Sequence, residues 1–160
     1  FKDPQNPVQT VSWKDTQAFC QKVGNGLRLP SEAEWEYACR AGSKKAYCFG
    51  DDASQLDEYA WYGDNSNDTL HPVGQKKPNA WGLYDMHGNI LEWCQDVWDN
   101  DYTDAPTDGS ALEKSSSASQ RTLRGSFWGP AANNCRSAFR CSGSSSIHGH
   151  PFGFRVASDP

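Results

Sequence analysis

The residues able to do chemistry are six cysteines (Cys20, Cys39, Cys48, Cys94, Cys135 and Cys141), the trio Glu32, Glu34 and Glu36, and the pair His148 and His150. No two cysteines stand in a C-x-x-C pair, so neither a zinc ribbon nor a dithiol redox motif is expected. The even count admits disulfides, although a chain of 160 residues does not need them to fold. Free buried thiols are an equal reading. Two histidines one residue apart, with no carboxylate beside them in sequence, make a weak metal site and read as surface residues. The glutamates fall in the first turn of a helix, where opposing the helix dipole is their expected role rather than acid–base work.

The elements that must position these groups follow from local signals. Ser12 is a helix N-cap, with Ala18, Phe19 and Val23 as an apolar stripe and Gly24, Asn25 and Gly26 as the stop. In RLPSEAEWEYACRAG, Ser31 with Glu34 three residues on is a capping box. Trp35, Ala38 and Cys39 share one face of that second helix, and Gly42 ends it. Residues 43–80 are rich in Asp, Asn, Gly and Pro and read as loops pinned by isolated aromatics. GLYDMHGNILEWCQDVW returns to apolar content with a turn at His87, Gly88 and Asn89. Residues 99–120 are polar, and EKSSSASQ reads as an exposed low-complexity loop. RTLRGSFW, NCRSAFR and GFRVA read as strands. The result is one α+β domain over 1–160: two helices, a small antiparallel sheet and high loop content.

Composition excludes some partners. With 20 Asp and Glu against 15 Lys and Arg, and no basic cluster, nucleic acid and anionic membrane are not expected. No apolar run approaches a membrane span, so no direct membrane insertion is expected either. The chain opens on Phe1 rather than Met, so removal of a leader or an upstream region is expected.

PVQTVSW, AFC, RLPSEAEWEYACRAG, PNAWGLYDMHGNILEW, LRGSFW, CRSAFR and GFRVA, in that order, resemble the formylglycine-generating-enzyme-like (sulfatase-modifying factor) domain from Pro7 onward. The resemblance implies a variant C-type lectin fold. It also implies a catalytic pair of cysteines in the late strands. The first of that pair falls on Gly129, and the second near Asn134 or Cys135. Ser126 and Trp93 match family pocket residues. Chemistry that needs two thiolates cannot run on one, so the oxidase reading is disfavoured. The resemblance further suggests a Cys39–Cys141 disulfide, and calcium ligands in the G-N-x-x-E segment from Asn89 and Glu92, whose oxygens suit a hard cation. No other cofactor is implied.

The tail departs from this framework in one respect. After Trp128 there is no Lys, Glu, Gln, Met or Trp, although these five types make up roughly a quarter of the preceding chain. Chance absence over the remaining stretch is on the order of one in a thousand. Randomising the adenines of the asparagine codon AAC reaches most residue types but none of these five. The pattern resembles the variable proteins of diversity-generating retroelements, in which adenine-directed mutagenesis rewrites the C-terminal region of a C-type-lectin-fold protein. That resemblance implies receptor-like binding without catalysis.

The expected variable region is about 124–156, with contact residues Phe127, Gly129, Pro130, Phe139, Cys141, Ser142, Gly143, Ser144, Ser145, Ser146, Ile147, His148, Gly149, His150 and Phe152. Strand alternation in CRSAFRC would put Ser137 and Phe139 on one face, opposite Arg136, Ala138 and Arg140. Exposed Phe side chains would supply apolar contact, and Ser and His adaptable hydrogen bonding. The ligand is unidentified, a protein surface being favoured over a sugar. Display outside the cytoplasm, at a bacterial cell surface or in the periplasm, is expected. The alternatives are a divergent metal-dependent oxidase using Cys135 and Cys141, and a structural accessory domain with an inert Ser/Gly tail.

Overall fold

The computed structural model describes residues 3–113 and 119–158; residues 114–118 of the Ser-rich stretch lie outside the described residues. The first helix, α1 (Trp13–Val23), starts at Ser12, where a full capping box forms with Asp15. Its buried face is Thr16 and Cys20, whereas Ala18, Phe19 and Val23 of the expected stripe are exposed. The phase is set by Trp13, whose indole N–H donates to the Cys94 carbonyl at 2.9 Å and turns that side of the helix inward.

After a short strand β1 (Leu27–Arg28), the second helix α2 (Glu32–Arg40) opens on the Ser31–Glu34 capping box. It buries Trp35 and Cys39. Its chain reversal comes one residue before Gly42, at Ala41, which takes the left-handed conformation at φ 45°. From there to residue 90 the chain is irregular apart from a 3-10 segment, Ala53–Glu58. Tyr47, Leu56, Ala60, Tyr62 and Cys135 form a separate core under these loops.

Strand β2 (Leu91–Val97) is buried on both faces and organises the rest. Its odd side chains, Leu91 and Trp93, join Leu29 and Leu123 in one apolar cluster. Cys94, on the other face, joins Trp35, Cys39 and Met86 beneath α2. Strand β3 (Gln120–Arg124) pairs antiparallel with β2 and with β4 (Arg140–Ser144). β5 (Phe152–Gly153) lies parallel to β2, so the four-stranded sheet, order β4-β3-β2-β5, is mixed rather than purely antiparallel. β6 (Ala157–Ser158) closes a second, two-stranded sheet with β1.

Two expected strands shift. NCRSAFR is a 3-10 turn (Ala132–Cys135) followed by a bend, and strand pairing begins only at Arg140. GFRVA contributes only the ends of β5 and β6. The first half of the Ser/Gly tract, read as loop, is β4 instead. Backbone pairing with β3 over five residues holds it, which requires no particular side chain.

Candidate functional site

Segment 141–152 is tied down mainly through its main chain. Beyond the β3 ladder, the N–H of Lys14 donates to the Ser145 carbonyl at 3.2 Å, and the N–H of Ser145 to that of Ser119 at 2.6 Å. The N–H of Leu91 donates to the Pro151 carbonyl at 2.9 Å. On this anchored backbone Ser142, Ser146, Ile147, His148 and His150 are exposed. Gly129 is also exposed, and its neighbour Pro130 is half-buried, its carbonyl accepting the Gly63 N–H at 2.9 Å.

Other expected contact residues turn inward. Phe127, Phe139, Cys141 and Phe152 pack against the Leu29, Leu91, Trp93 and Leu123 cluster. Phe152 meets Trp93 edge to face at 5.1 Å. Ser145 is buried, and Ser144 and Gly149 are half-buried. The alternation expected around Ser137 and Phe139 exists in the opposite sense: Ser137 is buried and Phe139 half-buried, while Arg136 and Ala138 face solvent. The cause is Arg124, whose guanidinium donates to the Ser137 and Phe139 carbonyls at 3.1 and 2.8 Å and draws this bend over the sheet.

Gly143 is constrained by packing. A Cβ there would lie 2.7 Å from the Trp93 ring and 3.1 Å from Leu123. Gly143→Val is therefore expected to cost about 1–3 kcal/mol by overpacking, against less than about 0.5 kcal/mol for Ser146→Tyr at the exposed turn. Urea denaturation of both variants checks this; equal midpoints would contradict the assignment.

The carboxylate missing from the local sequence around His148 is supplied by tertiary structure, with Nε2 3.0 Å from Asp15 Oδ2. That carboxylate also caps α1, and both side chains are largely exposed. No grouping of three or more His, Cys, Asp or Glu among the described residues is placed to hold a metal ion. His150 lies instead on the wall of a polar basin of about 650 Å³ with Trp128, Asn6, Thr10 and Asp68. Nothing in the sequence marks Asn6, Thr10 or Asp68, because they reach this basin from distant loops. Trp128 is also at its rim, its carbonyl held by the Ser66 hydroxyl at 2.6 Å.

All six cysteines are free thiols. The Cys39–Cys141 bridge does not form: Cys141 stands opposite Leu123 on one face of the sheet, whereas Cys39, on the buried side of α2, packs with Cys94 on the other. Burial pushes the Cys39 thiol up to about 12 and the Cys135 and Cys141 thiols up to about 11. For Cys135, burial is the dominant cause. Ser126 and Trp93 are themselves fully buried.

The residues expected to hold calcium do not fit that ion. Glu92 Oε2 accepts the Trp35 indole N–H at 2.7 Å, and both carboxylate oxygens are taken by the Arg155 guanidinium. Asn89 is buried, at φ 71°, with its amide bonded both ways to the His71 backbone. A cation would have to displace a guanidinium from Glu92, so these two residues serve as structural ties.

The glutamates of α2 do more than oppose its dipole. Glu34 completes the cap and pairs with Arg28, which holds its carboxyl below the usual range. Glu32 is buried and forked onto Arg140, and Glu36 binds both Arg40 and Arg124. No helix among the described residues is long and apolar enough to cross a membrane.

Comparison with known proteins places this architecture. Residues 2–160 match the sulfatase-modifying factor enzyme 1-like domain. The formylglycine-generating enzyme of Thermomonospora curvata is 33% identical over 175 residues, covering 98% of this chain; the chain spans 57% of that enzyme's length. Among solved structures, PvdO from Pseudomonas aeruginosa superposes with a TM-score of 0.91 at 35% identity, over 100% of this chain and 64% of its own. Treponema denticola variable protein 1 superposes with a TM-score of 0.87 at 30% identity, over 98% of this chain and 72% of its own. The fold is thus α+β, of the formylglycine-generating-enzyme and C-type-lectin-like kind, and the chain belongs to the sulfatase-modifying factor (FGE-sulfatase) family.

Proposed function

We propose that this domain is a non-catalytic, ligand-binding protein. Its contact edge is Gly129, Ser142, Ser146, Ile147, His148 and His150, beside the polar basin at Trp128. One observation carries the proposal. In 141–152 the backbone is held by ladder and loop hydrogen bonds to β3, α1 and β2, while these side chains project to solvent and are free of core packing. Such a segment tolerates substitution without loss of fold, which a hypervariable surface requires. The likeness to a Treponema variable protein agrees with this use. The diversified set is then narrower than the tail's composition implies, since Gly143, Phe139, Cys141 and Phe152 are committed to the core. The ligand is a protein surface rather than a sugar, because exposed Ile and His beside small polar residues suit flat, mixed contacts. Display belongs outside the cytoplasm, at a bacterial surface or in the periplasm.

The oxidase reading has less support. Gly129 stands where the family's first catalytic thiol falls. Cys135 and Cys141 pack in separate clusters, each with its thiol near 11, so at neutral pH the thiolate fraction is on the order of one in ten thousand.

A display library randomised at Ser142, Ser146, Ile147, His148 and His150 tests the proposal. Most members are expected to be displayed folded, and binders to unrelated proteins to be recoverable. Loss of folded display across the library would sink it. In the coding DNA, a downstream repeat differing only at adenines is expected beside a reverse transcriptase gene. Aldehyde formed from a cysteine peptide with copper and oxygen would restore the enzyme reading.

A further inference from the structure

A cavity of about 520 Å³, within the range of ligand sites, opens between α2 and the loop after β2. Five carboxylates line it against two guanidiniums. Both guanidiniums are already matched. Arg140 is forked onto Glu32 with both bonds at 2.7 Å, and it lies 4.5 and 4.3 Å from the ring centroids of Trp98 and Tyr102. Arg40 pairs with Glu36 at 2.7 Å. Asp96 accepts the Glu32 and Leu112 N–H groups at 2.6 and 2.9 Å, and Asp101 accepts the Thr103 N–H at 2.8 Å. Asp99 differs from all of these. It is half-buried in the cavity wall and has no hydrogen-bond or ion-pair partner among the described residues.

The outer part of the site is aromatic. Tyr37 lines the cavity yet is 69% exposed, and it meets Trp81, 48% exposed, edge to face at 4.9 Å. Exposed aromatics beside a partly desolvated, unmatched carboxylate form a recognition surface of defined chemistry. Among the described residues that line it, both cations are already paired, so an anion is not favoured there. A guanidinium or ammonium finds both a carboxylate and π-faces.

We propose that this cavity binds a basic peptide: an arginine or lysine side chain enters toward Asp99, and an apolar side chain of the next residue rests on Tyr37 and Trp81. Arginine is the better fit, since its plane stacks on tyrosine while its N–H groups pair with a carboxylate. The site is separate from the contact edge proposed above, for Ser142, Ser146, Ile147, His148 and His150 do not line it.

Tryptophan fluorescence of the whole chain, titrated with acetyl-Leu-Arg-Leu-amide, tests the site. Saturable binding is expected, weakened by salt and weakened about tenfold when citrulline replaces arginine. Asp99→Asn, on a loop, should weaken it by a similar factor, and Tyr37→Ser, at an exposed position, should weaken it while leaving the unfolding midpoint in place. Butylguanidinium should bind more weakly than the peptide; equal affinity would reassign the site to free guanidines and overturn the peptide proposal. Absence of saturation, equal affinity for the citrulline peptide, or an unchanged Asp99→Asn titration would also overturn it.

Discussion

Arg124→Ala is expected to lower folding stability by about 3–5 kcal/mol. Arg124 is fully buried, and its guanidinium binds the Glu36 carboxylate and the carbonyls of Ser137 and Phe139. Its carbon Cζ lies 5.4 Å from the Trp35 ring centroid. Deleting it takes the side-chain donor from the Ser137 and Phe139 carbonyls and a cation from beside buried Glu32, while half-buried Glu36 keeps only Arg40, and the cost comes from those partners more than from the lost pair itself. Since domains of this size are stable by roughly 5–15 kcal/mol, the variant should sit near its folding threshold. Lysine at this position keeps the charge but not the fork, so Arg124→Lys should recover less than half of the loss. Guanidinium denaturation measures both. Hydrogen exchange adds a specific readout: in Arg124→Lys, amides of 136–140 should exchange faster than those of β2, because Arg124 is what draws that bend inward. A loss below about 1 kcal/mol for the alanine variant would show the network to be dispensable.

Acidification from pH 7 to pH 4.5 is expected to remove about 2–3 kcal/mol of stability through His87 alone. Burial pushes this imidazole down to about 4, outweighing the opposing pull of the Cys135 carbonyl. Its hydrogen bonds require the neutral ring: Nε2 accepts the Cys48 N–H at 3.2 Å, so Nδ1 carries the proton that goes to the Cys135 carbonyl at 2.8 Å. Tyr47 and Phe49 cross it edge to face at 5.7 and 5.8 Å, and the buried ring is shielded from the solvent that a cation would need. In the unfolded chain the ring titrates near its usual value of about 6.5. The folded value is lower, so below pH 6.5 the unfolded state takes up the proton first. Stability is complete above that pH, falls between about 6.5 and 4, and loses no more from this group below 4. Asp85 and Asp96 act the other way, because burial raises both carboxyls and makes the folded state the better proton acceptor. Urea titrations of the parent chain and His87→Gln at both pH values isolate the contribution. The glutamine variant should be the less stable at pH 7 and should close most of the gap by pH 4.5. Parallel pH slopes for the two proteins would contradict the assignment.

Local chemistry was legible from the sequence wherever it completes itself within a few residues. Ser12 and Ser31 announced both helix starts, since a capping hydroxyl and the acid three residues on satisfy orphan N–H groups without help from the rest of the chain. The ordered set of short motifs from PVQTVSW to GFRVA was enough for family and fold class. The tail's restricted alphabet drew attention to 141–152, and part of that segment is exposed on a fixed backbone.

What only the tertiary structure decided is the side to which each residue turns, and which distant group meets it. Alternation along 135–140 defines two faces but carries no sign; the sign comes from Arg124, reaching across to the Ser137 and Phe139 carbonyls. The phase of α1 was likewise set by an indole bonded to a residue 81 positions away. Cys39 and Cys141 were separated by the sheet itself, and Glu92 was assigned to Arg155 rather than to a cation. Long-range pairing and burial depend on how whole elements pack, and no short window of sequence contains both partners.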